Sequence, residues 1–137
     1  MPKADEKLLT ISELAKISGF SQRIIHLHEE RGLIESIRHQ EGGNRYFSQD
    51  AVNRLNKVKQ LQAIGLNLQE IVEVFPLYMD PSDHGVKGKQ AALKILQSHL
   101  ANTDEQINNL NLLRADIIKS IARLELLLEQ YQAKINQ

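Results

Sequence analysis

The chain contains no cysteine and no tryptophan, and the formal charges of its 137 residues cancel. Without cysteine there is no disulfide, no thiolate metal site, no iron–sulfur ligation and no Cys nucleophile. Aromatic residues amount to 4%, too few to line a large aromatic ligand pocket or a stacking surface for single strands. Lys plus Arg and Asp plus Glu both number 17. No global excess of positive charge draws the chain to nucleic acid, so any DNA binding rests on where individual charges sit. No apolar run approaches the length of a bilayer span. The charged start Met1-Pro2-Lys3-Ala4-Asp5-Glu6-Lys7 leads into no apolar stretch, which speaks against a signal peptide and makes the cytoplasm the expected compartment. What the chain does have is apolar material, 42%, enough for the core of one compact domain with an appendage.

Thr10-Ile11-Ser12-Glu13 predicts a capping box, because the Thr hydroxyl can accept the amide three residues on while Glu13 reaches back to the Thr10 amide. The helix it opens would bring Ile11, Leu14, Ala15 and Ile17 together and stop at Gly19. Ser21 is a good cap for a second helix through about Glu30, and Gly32 stands where a left-handed C-terminal residue is wanted. Two short helices joined by a Gly-containing turn form a helix-turn-helix candidate. Leu33 to Arg38 and Arg45-Tyr46-Phe47 then flank a Gly42-Gly43-Asn44 turn, which predicts a small hairpin bearing Arg on both strands. The pattern is that of a winged helix-turn-helix. Ser48 is expected to cap a third helix with Val52, Leu55, Val58, Leu61 and Ile64 on one face, ended by Gly65. Asn67 and Glu70 open a fourth helix that Pro76 should close, and Leu77 to Gly88, with Pro81, Gly85 and Gly88, reads as a linker.

From Lys89 to Ile135 neither Pro nor Gly interrupts. Leu93, Leu96, Leu100, Thr103, Ile107, Leu110, Leu113, Ile117, Ile121, Leu124, Leu128, Tyr131 and Ile135 follow in steps of three and four. The mean step of about 3.5 residues belongs to a coiled coil rather than to a globular helix face. At roughly 1.5 Å per residue the helix would extend roughly 70 Å. Its stripe needs a partner helix, and nothing else in the chain is large enough to cover it.

The catalytic patterns are missing. No Ser-His-Asp or Cys-His arrangement and no phosphate-cradling glycine loop is visible, and the adjacent Glu29 and Glu30 diverge on a helix, so no enzyme activity, catalytic residue or cofactor is expected. Of the five histidines, His26 and His28 point to different faces of one helix, while His84 and His99 fall in the linker and on the long helix. His84 and His99 with Asp80 and Asp83 would be the residues for a zinc-like site. Solvated surface positions explain them more simply, and no metal is assigned.

Several segments, in order and at matching spacing, resemble the MerR family of bacterial transcription regulators. They are Ile11 to Ser21, Glu29-Glu30-Arg31-Gly32-Leu33-Ile34, Arg38, Gly43-Asn44-Arg45-Tyr46-Phe47-Ser48 and Gly65 to Ile71. The resemblance covers about residues 8–75 by motif and the tail by architecture. It implies a mostly α fold, with a winged helix-turn-helix DNA-binding domain at 8–75, a linker at 76–88 and an antiparallel coiled-coil dimerisation helix at 89–135. It also implies a homodimer on an inverted-repeat operator in double-stranded DNA, acting with RNA polymerase at a promoter whose DNA it distorts. The chain departs from the family where Arg-Tyr-Tyr-Glu is usual and His26-Leu27-His28-Glu29 stands instead, and where Ser36 replaces a common Pro.

Within that frame the second helix is the recognition element, with Ser21, Gln22, Arg23 and His26 on its exposed early face. Gln22 and Arg23 have the donor geometry for adenine and guanine edges. Arg38, Asn44, Arg45, Tyr46 and Lys57 are expected to hold the DNA backbone, with Lys59 and Arg31 as further cations. The dimer interface is expected at Leu93, Leu96, Leu100, Ile107, Leu110, Leu113, Ile117, Ile121, Leu124 and Leu128. Two other readings stay open: an architectural or recombination-directionality protein that bends DNA at tandem repeats, and a coiled-coil scaffold.

Overall fold

The computed structural model describes residues 7–38 and 44–137, with the main chain alone at Arg38. Gly42, Gly43 and His39, which the hairpin reading places in the turn and wing, lie outside the described residues. The elements run α1 (Ile11–Ser18), α2 (Gln22–Glu30), β1 (Ile37–Arg38), β2 (Arg45–Tyr46), α3 (Gln49–Ala63), α4 (Leu68–Tyr78) and α5 (Val86–Ile135). The fold is thus mostly helical, as expected. The chain divides into two compact units, Met1–Leu96 and Gln97–Gln137, the second consisting of the continuation of α5.

The capping chemistry works as the sequence suggests at three helices. Thr10 and Glu13 exchange bonds at the start of α1, Asn67 and Glu70 do so at α4, and the Ser21 hydroxyl accepts the Ile24 amide at α2. Gly19 and Gly32 both take the left-handed conformation, with φ +77°, which a residue with a Cβ would resist. Ser48 occupies the N-cap position of α3 without a side-chain capping bond; there the Ser48 carbonyl accepts the Ala51 amide instead.

β1 and β2 pair antiparallel, Ile37 opposite Tyr46 and Arg38 opposite Arg45. A bridge between Leu9 and Phe47, bonded in both directions at 2.8 and 2.7 Å, anchors the end of this hairpin. Phe47 is fully buried in a cluster with Leu14, Ile25, Ile34 and Leu55. Burying such a side chain contributes about 2–3 kcal/mol, so the wing is tied to the helix-turn-helix through its last strand. A second cluster joins Leu33 to Val58, Leu61, Ile71, Val74, Phe75 and Ala92, with Phe20 reaching both clusters.

Four expectations need correction. Ile17 and Ile64 are exposed, at 57% and 49%. On α1, Ser18, a full turn from Leu14, points inward in place of Ile17, and its hydroxyl accepts the Phe20 amide. Pro76 does not close α4, which continues to Tyr78 with the Met79 amide bonded to the Phe75 carbonyl. The α5 helix starts at Val86 and includes Gly88, leaving only residues 79–85 outside helices at this junction. Burial of Phe75 and Tyr78 against the second cluster offsets the backbone bond lost at the proline.

Candidate nucleic-acid interface

Helix α2 presents two faces. Ile25 and His28 are buried, whereas Ser21, Gln22, Arg23 and His26 are exposed. These four, with Leu27 and Glu30, line a groove of about 740 Å³. A second cleft of about 290 Å³ is lined by Thr10, Ile11, His26, Asn44, Arg45, Tyr46 and Phe47. His26 lines both, so the exposed face of α2 and strand β2 form a continuous surface. Gln22 donates to the Ser12 hydroxyl at 3.1 Å, which engages one of its two amide hydrogens and leaves the other and the carbonyl oxygen for further bonds.

Arg45 is joined to α2 as well, its Nη1 lying 2.6 Å from Glu29 Oε1. Sequence reasoning named Arg45 and missed Glu29. The two are 16 positions apart, and only the fold brings them together. Of Arg38 the strand position opposite Arg45 is known. Lys57 is placed elsewhere: its ammonium donates to Gln60 at 2.9 Å and lies 5.4 Å from the Tyr78 ring. Lys59 sits 5.1 Å over the Phe20 ring, at the turn between α1 and α2. Arg31 reaches Gln69 at 3.5 Å.

His28 is buried, whereas His26, two residues earlier, is exposed. It is 1% exposed, meets Phe20 edge-on at 4.9 Å between ring centroids, and its Nδ1 has no hydrogen-bond partner. Burial holds its pKa below the ordinary value of 6.5, because a buried imidazolium loses hydration. It is a core residue.

Among the described residues no three His, Asp or Glu side chains gather where they could hold a metal ion. Asp80 and Asp83 instead accept backbone amides of Ser82 and Gly85 within their own loop and of Lys87 in the first turn of α5. Along α5 the expected seam residues from Leu100 to Leu128 are exposed, Leu100 at 61% and Ile121 at 50%. Leu93 is exposed too, whereas Leu96 packs against the second core cluster, beside Gly65.

Comparison with known proteins converges on one family. The model of the MerR HTH family regulatory proteins matches residues 9–77, and that of the MerR DNA-binding region matches residues 52–120. The HTH-type transcriptional regulator CueR of Escherichia coli O157:H7 is 30% identical over 110 residues, covering 80% of this chain and 78% of that protein. The nodulation protein NolA of Bradyrhizobium elkanii is 27% identical over 104 residues, 76% of this chain and 42% of that protein. Among solved structures, the transcription regulator PbrR691 of Ralstonia metallidurans, in complex with lead(II), superposes with a TM-score of 0.63 at 20% identity, over 81% of this chain and 83% of that one. HiNmlR, a MerR family regulator lacking the sensor domain and bound to promoter DNA, gives 0.50 at 20% identity, over 85% and 94%.

Proposed function

The chain belongs to the MerR family of helix-turn-helix transcriptional regulators, which bind DNA, and on that premise we propose how its own residues read an operator. The exposed face of α2 enters the major groove, where Ser21, Gln22, Arg23 and His26 meet base edges. Strand β2 lies along the flanking phosphates, which Arg45, Tyr46 and Asn44 hold, together with Arg38 from β1. The observation that carries this reading is the continuous surface on which the α2 groove and the wing cleft share His26. Lys57 is the weakest member of the set, since its ammonium is engaged by Gln60 and Tyr78.

The partner is a second copy of the chain. Large apolar side chains at the 3–4 spacing of α5 stand about half exposed, Ile107 at 51%, Ile117 at 50% and Leu124 at 60%. A helix with that stripe is stable in water when a like stripe covers it. Antiparallel pairing would carry one reading domain to each half of an inverted repeat, and distortion of the promoter between the halves would present it to RNA polymerase. No helix among the described residues is long and apolar enough to cross a membrane, and action in the cytoplasm, where the DNA is, completes the reading. The test is selection of bound duplexes from a random pool by the purified chain. An enriched inverted repeat is expected, and enriched tandem repeats would move the assignment to an architectural DNA-bending protein.

A further inference from the structure

We propose that Glu29 is the positioning residue of the wing, its carboxylate fixing Arg45, and strand β2 with it, against the recognition helix. The inference rests on the DNA-reading role given above to α2 and β2. Each wing strand is two residues long, and a two-stranded hairpin of that size does not hold its own place in water. One end is secured by the Leu9–Phe47 bridge. Beyond that bridge, Arg45 of β2 is tied to α2 by the contact of its Nη1 with Glu29 Oε1 at 2.6 Å.

Charge alone does not explain this carboxylate. It pairs with an arginine assigned to phosphate, where a negative group opposes DNA. Glu29 is also sheltered, its side chain 18% exposed against 43% for Arg45, so it presents itself to the arginine more than to solvent. A single bond from one Nη1 leaves the other donors of the guanidinium for a phosphate. Glu29 thus gives up attraction for geometry. It sets where the arginine stands, and through β2 it sets the wall of the cleft lined by Thr10, Ile11, His26, Asn44 and Tyr46.

The experiment measures affinity of the full chain for its selected inverted repeat and for an unrelated duplex of equal length, over a range of salt. The proteins compared are the parent, Glu29→Ala, Glu29→Gln, Arg45→Ala and the double variant Glu29→Ala with Arg45→Ala. Removing the carboxylate should strengthen binding to the unrelated duplex roughly twofold and lower the ratio of specific to unrelated binding roughly fivefold. Glu29→Gln, which keeps an acceptor oxygen, should recover part of the ratio. With Arg45 already truncated, removal of Glu29 should leave the ratio unchanged, since the effect runs through the arginine. Equal strengthening on both duplexes, or the same loss of ratio without Arg45, would overturn the proposal. Melting curves accompany each variant, and should Glu29→Ala fail to fold, Glu29→Gln carries the comparison. A parent protein that selects no sequence would fail earlier and differently, removing the DNA-reading assignment itself.

Discussion

Gly88 lies directly against Tyr78: a Cβ placed on that glycine would come within 2.6 Å of the ring Cδ2 and 2.7 Å of the Tyr78 backbone nitrogen. The contact joins the end of α4 to the first turn of α5, and the ring is flanked by the ammonium groups of Lys57 and Lys89 at 5.4 and 5.6 Å. Alanine in a helix normally gains up to about 1 kcal/mol over glycine. Here the opposing atom is backbone, which cannot swing aside, so Gly88→Ala should lower stability by about 1–3 kcal/mol. Denaturant unfolding measures it. A raised midpoint would mean that the junction yields without cost.

The same junction marks the limit of what the sequence discloses. Pro76 and Gly88 are helix-breaking residues by local preference, and a reading by preference alone puts both in a linker. The fold overrides them because Phe75, Tyr78 and Ala92 bury apolar surface in one cluster. Cap chemistry, by contrast, is settled within four residues, so Thr10 with Glu13, Asn67 with Glu70, and Gly19 are legible directly. The division of α2 into a buried and an exposed side is legible as well, because Ile25 and His28 fall on one side of a 3.6-residue period and Arg23 and His26 on the other. Glu29 with Arg45, Gln22 with Ser12 and Lys57 with Tyr78 are meetings of separate segments, or of the two ends of one, and no local pattern announces them.

Acid should destabilise the chain through His28. Its folded pKa is depressed by burial, so the unfolded chain binds the proton more readily. The stability from keeping the imidazole neutral is therefore whole above about pH 6.5 and is lost as pH falls below that value toward the folded pKa. Melting temperature should drop between pH 7.5 and pH 5. In His28→Leu that drop should be smaller, and an unchanged drop would place its origin in other groups.

Arg23 and Arg45 should separate into two kinds of contact. Arg45→Ala should weaken binding to every duplex and lower the slope of log K against log salt by about 0.9, the signature of one lost phosphate. Arg23→Ala should instead relax preference at one position of each half-site, at a cost of about 1–3 kcal/mol on the preferred base. Selection with both variants decides it. An unaltered sequence preference for Arg23→Ala would place the reading face elsewhere on α2.

The coil prediction turns on which apolar residues form the seam. Ile121 belongs to the 3–4 repeat, whereas Leu126, 54% exposed, stands two positions past Leu124 and faces away from that repeat. Both are exposed in the single chain, so a charge at either leaves the core of the reading domain untouched. In the proposed paired coil Ile121→Glu puts a carboxylate into the buried layer, and it should convert the proposed dimer to monomer at micromolar concentration. Losing the second half-site would then weaken operator binding by on the order of 10²–10⁴-fold. Leu126→Glu should leave both the dimer and the affinity nearly as they are. Sedimentation and operator titration read the two effects separately. If Leu126→Glu dissociated the protein as thoroughly as Ile121→Glu, the seam would not follow the heptad stripe. If Ile121→Glu remained a dimer with full affinity, the two copies would be joined by a surface other than α5.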